Sequence, residues 1–174
     1  MVDGAPMLST QTDVLVANAR LYQEHGFRPG APRQPRTGMA VVTCMDARIN
    51  VYALLGLDEG DAHVIRNAGG VVTEDVIRSL TLSQRLLKTT EVMIIMHGAC
   101  GLRETTDEQF VAELQADVGL RPMWRVETFR DARSEVRHGV TRLRTSPFLG
   151  PTTSARGFVF DETTGALAEV EASG

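Results

Sequence analysis

Two short apolar runs do most to limit what this chain can fold into. Met39 to Thr43 runs without polar alternation into Cys44, and Glu91 to Met96, through Val92, Met93, Ile94 and Ile95, runs into His97. Such runs suit central strands buried on both faces, which occur in parallel sheets covered by helices. His63 to Arg66 reads as a weaker strand between them. Thr73 can cap a helix to about Lys88 with Val76, Leu80 and Leu87 in a stripe. Thr105 followed by Glu108 has capping-box spacing and opens a helix whose Phe110, Val111 and Leu114 read as core. A further helix covers Ala132 to Arg144. Gly157 to Phe160 and Leu167 to Val170 flank the turn-like Glu162-Thr163-Thr164-Gly165, which predicts a terminal hairpin. Strands alternating with helices give an α/β fold with a mostly parallel sheet, because parallel neighbours need crossover connections.

The amino-terminal part reads differently. Residues 1–11 look like a loose tail, and residues 13–25 carry Val14, Ala17 and Leu21 at helical spacing with Gly26 as a stop. Phe27 to Gly38 holds Pro29, Pro32 and Pro35, which favour extended backbone. We therefore divide the chain into an arm over residues 1–38 and an α/β domain over residues 39–174.

At 174 residues the chain is long enough to fold on its core alone, so a metal here would serve function rather than folding. The formal charge of −4 lacks the positive field of nucleic-acid binders, and nucleic acid is not expected as a partner. The arginines between Arg121 and Arg144, with Trp124 and Phe129 interleaved, are interrupted by Glu127, Asp131 and Glu135 and read as a solvated or subunit-facing surface. No apolar run approaches the roughly 20 residues that span a bilayer. Met1-Val2-Asp3-Gly4-Ala5-Pro6 does not read as a secretory signal, so a cytoplasmic protein is expected.

The chemistry lies at the strand ends. The sequence has two cysteines, Cys44 and Cys100; the first directly follows one strong apolar run, and the second lies three residues beyond the His97 that follows the other. Thiolate sulfur and imidazole nitrogen bind zinc at about 2.3 and 2.0–2.1 Å, so one Zn2+ could be held by Cys44, His97 and Cys100 with a fourth position open. His25, His63 and His138 have no such partner motif and read as solvated or packing groups. A shared ion also forces the first and third strands side by side, with the second strand outside the first. The order 2-1-3 that results places the ion at a topological switch point, where open α/β sheets usually bind ligands.

Cys44-Met-Asp-Ala-Arg48, then His63-Val-Ile-Arg-Asn-Ala-Gly-Gly70, then His97-x-x-Cys100-Gly101 resembles the β-class carbonic anhydrases. The likeness runs from the amino-terminal helix to Gly157-Phe-Val-Phe-Asp-Glu-Thr-Thr-Gly165. It implies a sheet of order 2-1-3-4 with an antiparallel last strand, Zn2+ on Cys44, His97 and Cys100, and an Asp46–Arg48 pair beside the metal. Asp46 would orient a zinc-bound hydroxide, or fill the fourth position itself in a closed state. The substrate would be carbon dioxide, hydrated reversibly to bicarbonate. Arg66, Gly69, Gly70 and Gly101 would border the pocket, and the arm would cross onto a second copy in a homodimer or higher homo-oligomer.

Three departures stand out. The family usually reads His-Thr-Asp-Cys-Gly at the second ligand motif, where this chain has Gly98-Ala99 and so lacks a polar pair that would orient the ligands. Val41 stands where effector-regulated members carry tryptophan, so no bicarbonate effector site of that kind is expected. No glutamine and tyrosine of the plant-like pocket can be placed, which points to the minimal branch. Alternative readings are a carbonyl sulfide or carbon disulfide hydrolase on the same fold, and a non-catalytic zinc-stabilised binding protein.

Overall fold

The computed structural model describes residues 10–150 and 154–171, so most of the tail read over residues 1–11 lies outside the described residues. The chain divides into two compact units, Met1–Ala31 and Pro32–Gly174. In the first, helix α1 spans Gln11–Leu21 and continues as a π-helical turn over Tyr22–Gly26. It begins two residues earlier than periodicity predicts, because Thr10 and Asp13 form a reciprocal capping box. No residue of α1 is buried.

The second unit is built on five strands: β1 (Met39–Cys44), β2 (Ala62–Asn67), β3 (Glu91–His97), β4 (Ser154–Phe160) and β5 (Leu167–Val170). Their order is β2-β1-β3-β4-β5, parallel except for the final β4–β5 hairpin. The expected order and its antiparallel last strand are therefore observed. Ala40 to Cys44 and Ile94 to His97 are buried, as continuous apolar runs in a covered parallel sheet should be. Each fully buried Val, Leu or Ile contributes about 1.5–3 kcal/mol relative to exposure.

Helix α2 (Val51–Leu55) follows β1, capped by Asn50 and stopped at Gly56. At five residues it is too short for periodicity to reveal. Helix α3 (Glu74–Leu87) starts at the expected Thr73 cap and buries Val76, Ile77 and Leu80, and α5 (Ala132–Thr145) buries Val136, Val140 and Leu143. Close approach of α5 to β4 requires Gly157, where an added Cβ would overlap Val136 Cγ1.

Helix α4 (Asp107–Val118) corrects two expectations. Its capping box is Thr106 with Gln109, one residue beyond Thr105 and Glu108. Both pairs have the required spacing, so sequence alone did not separate them. The Phe110, Val111 and Leu114 stripe is not core: α4 buries no residue, and Phe110 is 37% exposed. The sheet over β3 and β4 is covered by α5 instead.

The segment after β2 passes unusually close to the strand ends. Gly69 and Gly70 are buried in a 3-10 turn (Ala68–Gly70) with φ of 80° and 70°. A Cβ on Gly70 would lie 2.8 Å from the Cys44 nitrogen and 3.2 Å from the Ile95 oxygen, so the turn lies against the backbone of both β1 and β3. Left-handed backbone costs a non-glycine residue about 1–3 kcal/mol before any overlap. Gly70→Ala should therefore destabilise the protein by at least about 2 kcal/mol, read as a lower midpoint in urea unfolding with unchanged slope.

Asp107 offers a pH-dependent test. It accepts hydrogen bonds from the Thr128 hydroxyl and from the Thr128 and Glu127 N–H groups. These, the Thr128 side chain foremost, hold its carboxyl below the usual range against the opposing effect of burial. A depressed folded pKa adds stability that is complete above the unfolded value near 3.9 and is lost as pH falls through the folded one. Asp107→Asn should cost about 1 kcal/mol at pH 7, and the gap between variant and parent should narrow in urea melts taken towards pH 3.

Candidate metal centre

The carboxyl ends of β1 and β3 lie side by side because the strands pair in parallel from Met39–Glu91 to Thr43–Ile95. The buried Thr43 hydroxyl donates to the Ile95 carbonyl at 2.9 Å and fastens the two ends together. Cys44 closes β1, His97 closes β3, and Cys100 stands just before the 3-10 turn Gly101–Arg103. Their ligand atoms all lie within 4.8 Å of one another, and all three residues are buried.

The donor set fits a metal ion. Among the described residues, neither ring nitrogen of His97 has a hydrogen-bond partner, although the side chain is only 1% exposed. A buried polar group left unpaired costs about 1–3 kcal/mol, which a coordinated cation would remove. Burial, then the neighbouring Cys44 thiol, pushes the Cys100 thiol up from its ordinary value. A bound cation reverses that preference by binding thiolate. Two sulfurs and one imidazole form the kind of soft, three-residue donor set that suits zinc with one position left open.

Asp46 stands beside this cluster, its Oδ2 3.8 Å from His97 Nε2. Arg48 grips it from three directions: Nε to Oδ1 at 2.9 Å, Nη2 to Oδ2 at 2.7 Å, and its backbone N–H to Oδ1 at 2.9 Å. The Arg48 side chain foremost holds the Asp46 carboxyl far below the usual carboxylate range. Asp46 is thus an ionised acceptor with a fixed direction, the geometry expected of a bidentate arginine pair.

Three arginines brace the loops that carry the ligands. Arg48 Nη2 also donates to the Ala99 carbonyl at 3.0 Å. Arg66 donates to the Cys44 carbonyl at 3.0 Å and the Asp46 carbonyl at 2.6 Å. Arg103 donates to the carbonyls of Gly98 and Arg130. Of the residues expected at the pocket, Arg66 borders an open cleft of about 500 Å3 that also involves Met45, Asn67, Phe110 and Trp124. Gly69 and Gly70 are buried behind the ligand strands, and Gly101 is exposed with open space beside it. His63 meets Ser83 at 2.7 Å, while His25 and His138 lie on the surface beside Glu24 and Glu135.

Sequence reasoning treated Glu162 only as part of a turn. Its side chain is 10% exposed, and Oε1 lies 3.6 Å from His97 Nδ1 and 3.9 Å from Arg48 Nη1. Oε1 also accepts the Ala99 N–H at 2.6 Å. Burial raises its carboxyl, but the N–H groups of Glu162 and Ala99, with Arg48, carry it below its usual value. The available signal is the register: Phe160 pairs with His97 across β3 and β4, so the residues just after Phe160 emerge beside the ligand loop.

Comparison with known proteins gives a consistent result. The carbonic anhydrase family model matches residues 39–138. The chain is 49% identical over 161 residues to β-carbonic anhydrase 1 of Mycobacterium tuberculosis, covering 92% of this chain and 98% of that protein. It is 40% identical over 115 residues to a carbon disulfide hydrolase of Saccharolobus solfataricus, covering 66% of this chain and 54% of the relative. The crystal structure of a Streptococcus mutans carbonic anhydrase superposes with a TM-score of 0.87 at 36% identity, over 95% of this chain and all of that one, 100%. With this match, the sheet order and the converging Cys44, His97 and Cys100, the chain belongs to the β-carbonic anhydrase family.

Proposed function

We propose that this enzyme hydrates carbon dioxide reversibly to bicarbonate and a proton at a Zn2+ ion held by Cys44, His97 and Cys100. The observation that carries the reading is the convergence of three buried metal-binding atoms beside an aspartate locked by arginine. Zinc, when bound, supplies a nucleophile from water near neutral pH. Asp46, ionised and unable to donate, accepts a hydrogen bond from the reacting water and so fixes the direction of its lone pair. Arg48 holds that carboxylate by both oxygens, which favours an open metal site over one closed by Asp46. It also offsets the negative charge of two thiolates and a carboxylate at one place.

Stopped-flow carbon dioxide hydration on protein of known zinc content tests the reading. We expect activity rising between about pH 7 and 9 as the zinc-dependent ionisation proceeds. Asp46→Asn should retain zinc and lose about 10²-fold or more in kcat/KM. A zinc-loaded protein that leaves carbon dioxide untouched but releases sulfide from carbon disulfide would transfer the assignment to the chemistry named for the Saccharolobus relative. A zinc-loaded protein inactive on both would be the binding protein with a closed site.

We further propose that residues 1–38 serve as a dimerisation arm in a homodimer or higher homo-oligomer of a cytoplasmic protein. The exposure of apolar side chains on the first unit supports the arm. Leu15, Leu21, Tyr22 and Phe27 are exposed on a helical unit that buries none of its α1 residues, and burial against another copy would cover that apolar surface. No helix among the described residues is long and apolar enough to cross a membrane. Deleting residues 1–28 should lower the sedimentation coefficient to that of a smaller assembly, and an unchanged profile would remove the arm from the interface.

A further inference from the structure

The two nitrogens of His97 face two carboxylates. Nε2 lies 3.8 Å from Asp46 Oδ2, and Nδ1 lies 3.6 Å from Glu162 Oε1. A neutral imidazole that ligates a metal through one nitrogen carries its proton on the other, and that N–H needs an acceptor when buried. Asp46 already takes three hydrogen bonds from Arg48. Glu162 Oε1 takes one from the Ala99 N–H, and an ionised carboxylate oxygen can accept another. At 3.6 Å the His97–Glu162 contact is electrostatic rather than a formed hydrogen bond, and among the described residues neither His97 nitrogen has a hydrogen-bond partner.

We propose that Glu162 is the positioning residue for the metal: it is the acceptor that the Nδ1–H of His97 turns towards, which leaves the Nε2 lone pair for zinc, and at the same oxygen it holds the Ala99 N–H of the ligand loop. The inference rests on the zinc reading above. It also explains how the chain functions with Gly98-Ala99 between its second and third ligands. A Cβ on Gly98 would stand 3.8 Å from Glu162 Oε2, so a longer side chain there would extend towards the space of this carboxylate. The orienting charge comes instead from the turn between β4 and β5, a different part of the chain.

A carboxylate behind a ligating histidine fixes its tautomer and raises its basicity, and removing one typically weakens metal binding 10- to 100-fold. Zinc affinity, measured by competition with a chromophoric chelator, should fall by about that factor in Glu162→Ala. Glu162→Gln separates the two roles, because its amide oxygen still accepts the Ala99 N–H while the charge facing His97 is gone. In Glu162→Gln the melting profile of the metal-free protein should match the parent, zinc affinity should still fall about tenfold, and the visible bands of the cobalt-substituted protein should shift. Parental zinc affinity and unshifted cobalt bands in Glu162→Gln would overturn the proposal, leaving Glu162 as a loop anchor. Should Glu162→Ala fail to fold, Glu162→Gln alone decides. Neither readout needs carbon dioxide, so a parent that binds zinc without hydrating carbon dioxide refutes the activity and leaves this inference to its own result. A parent that binds no zinc refutes both.

Discussion

The parallel pairing of β1 with β3 is the constraint from which the site follows. It sets Cys44 and His97 at neighbouring strand ends without help from any loop, and the Thr43 hydroxyl bond to Ile95 keeps those ends from separating. Only Cys100 then has to be supplied by a turn. The pairing itself is held by side chains buried on both faces of the sheet, so the position of the donors depends on the part of the molecule least able to move.

Around this frame the polar groups form a second layer. Arg48, Arg66 and Arg103 come from three separate parts of the chain, the turn after β1, strand β2 and the 3-10 turn after Cys100, and each donates to carbonyl oxygens of the segments carrying the candidate ligands. A guanidinium has five donors in a rigid plane, so each arginine can tie more than one backbone position while keeping its charge. The result is that the carbonyls of Cys44, Asp46, Gly98 and Ala99, at and just beyond the ends of β1 and β3, each have a guanidinium partner. The Asp46–Arg48 pair belongs to the same arrangement, because the guanidinium that aims the carboxylate also holds Ala99.

Much of this was legible in the residues. Apolar runs that end in Cys44 and His97 announce both the buried strands and their chemistry, and the ligand set predicts the strand order. What escaped depended on information that periodicity does not carry. The stripe on α4 marks an apolar face, but not whether the sheet or something else covers it. Thr105 and Thr106 both offer capping-box spacing, and only three-dimensional context chooses between them. Arg66 was visible as a strand-end cation, whereas its carbonyl partners were not. Glu162 lies 65 positions beyond His97, which it faces in space, and becomes meaningful only once β4 is placed in register beside β3.

That hairpin placement has a consequence for the order in which the centre matures. A ribosome delivers Cys44, His97 and Cys100, with the Asp46–Arg48 pair, while β4 and β5 are still to be made. The nascent chain therefore holds Cys44, His97 and Cys100 before the sheet has its far edge, and Glu162, the carboxylate on the Nδ1 side of His97, follows only with the β4–β5 turn. The candidate donors and the carboxylate on the Nδ1 side of His97 thus enter the fold separately, the second with closure of the β4–β5 hairpin.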